Sequence, residues 1–249
     1  MTRREGTRWI RAFDVCESPR ANIICFPYAA GAATSFRRLS AMLAGDVQTY
    51  SVQYPGRQDR LFETPYKSIS DMADAVCEEI PDLPELPLML LGHSMGAAVA
   101  FEVASRLDGS SLPVLGLVAS ARPAPSYRSL TRYHLADDRK LLEGVRSLNA
   151  PHASALDDEG LARTMLPTIR SDYRAIERYY NPDAAPIGCP INVLVGREDP
   201  VFSAEQAVQW FPYTTGACQV LEYPGGHFFI DSCLGRVVGD LRRFISRSL

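Results

Sequence analysis

The sequence predicts an α/β fold: a mainly parallel sheet flanked by helices on both faces, with a helical insertion between two strands. Three observations predict it. Short apolar, β-branched runs recur along the chain with helix-like stretches between them. One of these runs, Leu86–Leu91, ends in Gly92-His93-Ser94-Met95-Gly96 and passes into the small-residue run Ala97-Ala98-Val99-Ala100-Phe101. From about Ala124 to Pro186 no strand candidate is found, and only helical stripes remain.

The strand candidates are Ile23-Ile24-Cys25-Phe26, Thr49-Tyr50-Ser51-Val52, Leu88–Leu91, Val114–Ala119, Ile191–Val195 and Gln219–Tyr223. Phe36, Leu39, Met42 and Leu43 fall at helical spacing after the first of them. Ile69, Met72, Ala73, Val76 and Ile80 do so after the second, behind Ser68 as a cap with Asp71 in its first turn. A last helix is expected from about Leu234 to Ile245, with Val237, Val238, Leu241 and Ile245 on one face. Alternation of this kind implies parallel strands covered on both sides. Within the insertion, Leu141, Leu142, Val145 and Leu148 form one stripe and Leu161 and Met165 another. Ile169, Tyr173, Ile176 and Tyr180 form a third, entered through Pro167. Long insertions after the strands of an open α/β sheet overhang the ligand crevice, so this one is expected to act as a lid over an apolar channel.

The chain has 249 residues, 46% of them hydrophobic, enough for one sizeable core; a single domain over 1–249 is expected, with the lid at about 124–186. The net charge of −3 disfavours a nucleic-acid partner. No apolar run is long enough to span a bilayer, and no apolar signal segment follows the basic start Met1–Gly6. These features point to a cytoplasmic protein without a membrane partner. The six cysteines, Cys16, Cys25, Cys77, Cys189, Cys218 and Cys233, show no Cys-x-x-Cys spacing and read as reduced thiols, with no metal site and no cofactor expected.

Gly-x-Ser-x-Gly between a strand and a helix is the sequence pattern of a nucleophile elbow. The glycines remove side chains that would collide around a strained serine. Ser94 is the expected nucleophile. A serine hydroxyl needs a base, and the base an orienting carboxylate, in the chain order serine, acid, histidine. Of the four histidines, His93 is adjacent to the serine and directed away from it, and His134 and His152 lie in the insertion. His227 lies in the glycine-rich loop Tyr223–Phe229 after the last strand candidate, where a base belongs. The acid is expected in Val195-Gly196-Arg197-Glu198-Asp199-Pro200. Glu198 and Asp199 are both candidates, and Asp199 is preferred because Pro200 biases it to an extended conformation. Two backbone donors are expected for an oxyanion: the amide of Met95, and the amide of Ala29 in the loop Phe26–Gly31. Tyr28 in that loop, with Met165 and Ile169 on the insertion stripes, is expected to contact the acyl group.

These residues together resemble the type II thioesterases that accompany polyketide and nonribosomal peptide synthases, a group within the α/β-hydrolase superfamily. The resemblance covers nearly the whole chain. Besides Gly-His-Ser-Met-Gly it rests on Cys25–Gly31, Tyr54-Pro55-Gly56-Arg57, Gly196-Arg197-Glu198-Asp199 and Gly225-Gly226-His227-Phe228-Phe229. Ala30 departs from the glycine usual at its place. The resemblance implies an editing enzyme that hydrolyses stalled or wrongly primed acyl groups from the phosphopantetheine arm of an acyl or peptidyl carrier protein. Carrier proteins of this kind are acidic, so a basic rim of Arg57, Arg60, Arg122, Arg128 and Arg132 is expected to steer them. The residue chemistry alone is also compatible with a small-molecule carboxylesterase or a catalytically silent receptor. A product-releasing terminal thioesterase is disfavoured, because the short lead before the first strand reads as a free-standing chain.

Overall fold

The computed structural model describes residues 7–151 and 153–249; the basic start of the chain and His152 lie outside the described residues. Seven strands form one sheet in the order β1-β3-β2-β4-β5-β6-β7. They are β1 (Ile10–Ala12), β2 (Ala21–Phe26), β3 (Val47–Val52), β4 (Leu88–His93), β5 (Val114–Ser120), β6 (Ile191–Gly196) and β7 (Cys218–Tyr223). All pairs are parallel except β1 with β3, where Ile10 opposes Val52. The six strands expected from sequence are all present. The edge strand β1 was not anticipated: three residues are too few for an alternating pattern, and it is held by its register on β3.

Helices cover both faces. On one face α1 (Arg37–Leu43) and the terminal α8 (Leu234–Ser248) bury Leu39, Leu43, Val237 and Leu241 against Ile23, Met89 and Val118. On the other, α2 (Ile69–Cys77) and α3 (Met95–Leu107) bury Met72, Val76, Val99 and Val103 against Ile24, Leu90 and Leu117. Successive strand residues therefore point to opposite cores, which is why the central strands read as continuous apolar runs. Ser68 caps α2 as expected, its hydroxyl accepting the Asp71 amide at 3.4 Å.

The insertion between β5 and β6 begins as an irregular strap. It continues through α4 (Asp138–Ser147) and a 20-residue helix, α5 (Glu159–Arg178), and has a small core of its own in Leu141, Val145, Leu156 and Ile169. Two short helices, α6 (Ala204–Ala207) and α7 (Phe229–Ser232), follow β6 and β7. Pro167 does not start a third helix, as the sequence suggested; it lies inside α5. The apolar stripe continues through Met165, Ile169, Tyr173 and Ile176, and packing on both sides of the proline outweighs its missing N–H. Among the described residues no helix is long and apolar enough to cross a membrane.

The sheet and α3 approach so closely that a β-carbon on Gly96 would lie 1.9 Å from the Phe26 carbonyl oxygen. Gly96→Ala should therefore destabilise the fold by at least about 3 kcal/mol. Gly239→Ala, within α8 and with nothing within 4 Å of the new carbon, should stabilise it by about 0.5–1 kcal/mol. Urea unfolding of both variants checks the pair.

Candidate active site

Ser94 occupies the turn between β4 and α3 with φ 53° and ψ −119°, a conformation costing an L-residue about 1–3 kcal/mol. Its amide donates to the Ser120 carbonyl at 2.8 Å and its carbonyl accepts from the Ala97 amide at 3.0 Å, so both sides of the turn are pinned. A β-carbon at position 92 would lie 2.3 Å from the Ala97 Cα, which explains the first glycine of the motif as Phe26 explains the second. The hydroxyl is thereby held at the C-terminal edge of the sheet, beside the start of α3.

His227 comes to this hydroxyl from the loop after β7. Its Nε2 lies 3.0 Å from Ser94 Oγ and its Nδ1 2.8 Å from Asp199 Oδ2. The imidazole and the carboxylate are both buried. Asp199 follows β6, and its second oxygen accepts the Val201 amide at 2.9 Å. Of the two carboxylate candidates the structure brings Asp199 to the histidine and leaves Glu198 exposed. The two loops meet because position 196 has no side chain: a β-carbon there would lie 2.5 Å from the Gly226 carbonyl. The hydrogen bond to the carboxylate favours the tautomer with the proton on Nδ1, leaving Nε2 to accept from the serine.

Ser94, Met95, Ala29, Tyr28 and His227 line one cavity of about 180 Å³, roofed by the insertion through Val145, Leu148, Tyr173 and Ile176. Tyr28 is buried, with Phe228 edge-on at 4.8 Å, and burial pushes its phenol up to about 12. Ala30, the departure noted above, has φ 65°, so it carries the strain a glycine would avoid. Its amide donates to Asp172 Oδ2 at 2.7 Å. Asp172 lies on α5 and is wholly buried, and its carboxylate takes both terminal nitrogens of Arg57 at 2.9 Å.

Several expected contacts lie elsewhere. Met165 and Ile169 line a separate cavity of about 280 Å³ with Ala30, Arg57 and Leu61, not the one containing Ser94. They share a stripe with Tyr173, but each residue of an α-helix advances about 1.5 Å, so only the later turns of α5 reach the Ser94 cavity. The basic rim contracts too. Arg57 is buried on Asp172, and Arg60 is buried on the Gln53 carbonyl and Glu63, with its guanidinium 4.7 Å over Trp9. Arg122 is in the cavity wall, not on an open rim. Among the described residues its Nε and Nη2 have no hydrogen-bond partner, and burial pushes its pKa down to about 10. Only Arg128, stacked 4.6 Å over Tyr180, and Arg132 are exposed. Asp172 was missed because an aspartate within an amphipathic helix reads as a solvated charge.

His93 is directed away from the serine, as expected: it is buried, with Nδ1 2.9 Å from Ser120 Oγ. His134 is paired with Glu177 at 2.5 Å. Burial raises the Cys77, Cys189 and Cys218 thiols to about 11, so they are protonated at neutral pH. Among the described residues no group of three His, Cys, Asp or Glu side chains could hold a metal ion.

The sequence model of one family, the thioesterase domain, matches residues 21–245. The chain belongs to the thioesterase family. It is 38% identical over 232 residues to a probable cadicidin biosynthesis thioesterase of Streptomyces griseus, covering 93% of this chain and 64% of that protein. It is 36% identical to the thioesterase PikA5 of Streptomyces venezuelae, over 94% of this chain and 84% of that protein. The fold is similar to the type II thioesterase BorB of the borrelidin biosynthetic cluster, with a TM-score of 0.89 and 34% identity, covering 96% of this chain and 98% of that one. The expected α/β-hydrolase fold and type II thioesterase kinship are thereby established.

Two outcomes test this geometry in the thioesterase. Asp199→Asn should lower turnover by about 10⁴-fold, the scale of losing the tautomer-setting carboxylate, while Glu198→Gln stays within a few-fold of wild type. Steady-state kinetics of the two variants separates them. The second outcome is a pH effect. Burial, and secondly the charge on His227, hold His93 well below the ordinary histidine range. The unfolded chain takes up this proton near pH 6.5 and the folded chain does not, so the stability is full above pH 6.5 and lost progressively below it. Urea unfolding at pH 7.5 and 5.5 should show a smaller acid loss for His93→Gln than for wild type.

Proposed function

We propose that this thioesterase is an editing enzyme. It hydrolyses stalled or wrongly primed acyl groups from the phosphopantetheine arm of acyl or peptidyl carrier proteins of a polyketide or nonribosomal peptide synthase. The observation that carries the reading is the chain of contacts from Ser94 Oγ to His227 Nε2 at 3.0 Å and from His227 Nδ1 to Asp199 at 2.8 Å, at the wall of the cavity beneath the insertion.

In this reading Ser94 attacks the thioester carbonyl while His227 takes its proton. Asp199 holds the imidazole and stabilises its charge. The amides of Met95 and Ala29 receive the developing oxyanion, aided by the positive end of the α3 dipole. The pantetheine thiol leaves; water, deprotonated by His227, then releases the acid and restores the serine. A cavity of about 180 Å³ is smaller than the roughly 300–1,000 Å³ of common ligand pockets, which supports short acyl groups. The insertion acts as the lid, with Val145, Leu148, Tyr173 and Ile176 as the acyl-facing residues. Exposed Arg128 and Arg132, on the strap of that lid, are the remaining candidates for steering an acidic carrier protein. The enzyme works as a single domain in the cytoplasm, beside the synthase.

One kinetic panel tests this: short and long acyl-pantetheines, acyl-carrier protein and simple esters of the same acids. Ser94→Ala should lose turnover on all of them by several orders of magnitude, and the His227→Ala loss should not add to it. Leu148→Trp should disfavour long acyl groups over short ones, whereas Met165→Trp should leave that ratio unchanged. Arg128→Glu with Arg132→Glu should lower kcat/KM on acyl-carrier protein and not on acyl-pantetheine. Esters turned over as well as the matching pantetheine thioesters would favour a carboxylesterase.

A further inference from the structure

Asp172 is a wholly buried carboxylate on α5, one residue before Tyr173 of the Ser94 cavity, and the proposed chemistry does not use it. Among the described residues, its three side-chain hydrogen bonds all go to Ala30 and Arg57. Oδ2 accepts the Ala30 amide at 2.7 Å and Arg57 Nη1 at 2.9 Å, and Oδ1 accepts Arg57 Nη2 at 2.9 Å. Arg57 Nη1 also donates to the Gly31 carbonyl at 2.8 Å. The ion pair thus grips the loop from both sides, by a donor on residue 30 and an acceptor on residue 31. Between these grips and β2 lies Ala29.

The loop needs such a grip. Ala30 sits at φ 65°, where an alanine pays a steric cost and would relax if released. Relaxation there rotates the preceding peptide planes, and the Ala29 amide is one of them. Hydrogen bonds to an oxyanion tolerate displacements of only about half an ångström. Arg57 comes from the Tyr54-Pro55-Gly56-Arg57 turn, which is tied to α5 again by Thr168 Oγ1 donating to the Gly56 carbonyl at 2.5 Å.

We infer that Asp172, with Arg57 as its counter-ion, is a positioning residue that holds the Ala29 amide in its oxyanion-binding orientation and couples that orientation to helix α5 of the lid. The inference rests on the reading of Ala29 as an oxyanion donor. Its consequence is a division of the lid. Helix α5 is locked to the catalytic loop, so an opening that preserved the oxyanion site would have to come from the strap and α4.

The test is Asp172→Asn, of the same shape but unable to serve both Ala30 and Arg57 as an acceptor. On a short acyl-pantetheine, kcat should fall roughly ten- to hundred-fold, a fraction of what losing an oxyanion donor outright costs, with KM within about three-fold. Binding of the matching trifluoromethyl ketone, which forms a charged tetrahedral adduct on the serine, should weaken by a similar factor. The pH profile of kcat/KM should not move, because Ser94, His227 and Asp199 are untouched. Asp172→Asn with unchanged kcat and ketone affinity would overturn the inference. A second variant separates positioning from the stranding of a buried charge: Arg57→Met with Asp172→Leu removes both charges and keeps apolar volume. If folded, it should retain the kcat defect; recovery of wild-type kcat would also overturn the inference. Should the wild type turn over esters and not pantetheine thioesters, the editing reading fails, and the same two variants are compared on the ester.

Discussion

The close contact between α3 and the strands β2 and β4 is the constraint on which the rest of the molecule depends. Gly96 lies directly against the Phe26 carbonyl and position 92 against the backbone of Ala97, so no side chain can separate helix from sheet. With both flanks fixed, the one residue between them has to turn sharply, and Ser94 takes φ 53°. The strain at this residue is maintained by the burial of the whole face of α3, where Ala97, Val99, Ala100 and Val103 are inaccessible to solvent. A longer turn would relax the serine and lower it from the sheet edge. Every other functional distance is measured from that fixed point.

Loops that come from strands on either side of β4 meet there. The Phe26–Gly31 loop arrives from β2, and the Asp199 and His227 loops from β6 and β7. The elbow touches the first of these loops at Phe26 and the last at His227, and each loop has a further restraint of its own. The acid and base loops are joined by the close approach at Gly196 and by the bond from the Glu198 amide to the Gly225 carbonyl at 3.0 Å. The remaining loop is held from outside, by Asp172 and Arg57. The geometry of the candidate site is thus divided between a rigid sheet edge and an ion pair that spans sheet and insertion. A buried pair of this kind contributes little net stability against an apolar replacement, because desolvation offsets its Coulomb attraction. What its directional hydrogen bonds to Ala30 and Gly31 add is a fixed orientation of the loop.

What was legible in the sequence follows from the range of the interaction behind it. The six long strands, the elbow and the cap on α2 arise from local pattern, and the chain shows them directly. The assignment of Asp199 over Glu198 rested on a single neighbouring proline, and the structure places Asp199 at the histidine. Illegible features depend on distant partners. Strand β1 exists through its pairing with β3. Pro167 is accommodated by tertiary packing around α5. Arg57 and Arg60 read as surface charge because their partners, Asp172 and the Gln53 carbonyl, are not marked as partners by any local pattern. Met165 and Ile169 had the right face and the wrong turn: periodicity gives an angle around a helix but not the position along it that meets a cavity.

Arg122 shows how the sheet and the insertion meet at the Ser94 cavity. It directly follows the strained Ala121, φ 53°, where β5 leaves the sheet and the insertion begins. Its carbonyl accepts the Trp210 indole N–H at 2.8 Å, which anchors the backbone to the core, while its guanidinium lies 5.8 Å over Tyr127 of the strap. Among the described residues its Nε and Nη2 have no hydrogen-bond partner, and the pKa lowered to about 10 by burial is the electrostatic trace of what that costs. The strap is fastened here by the Trp210 bond to the backbone and by a guanidinium over a ring, a contact worth about 0.5–2 kcal/mol. Farther along, the strap is tied to α5: Glu177 accepts from the Thr131 hydroxyl at 2.7 Å and from the Tyr133 amide at 2.8 Å, and Arg170 donates to the Ala136 carbonyl at 2.7 Å. Exposed Arg128 lies between the Tyr127 contact and these bonds, and exposed Arg132 lies between Thr131 and Tyr133, so a pull on those charges would reach α5 through Glu177.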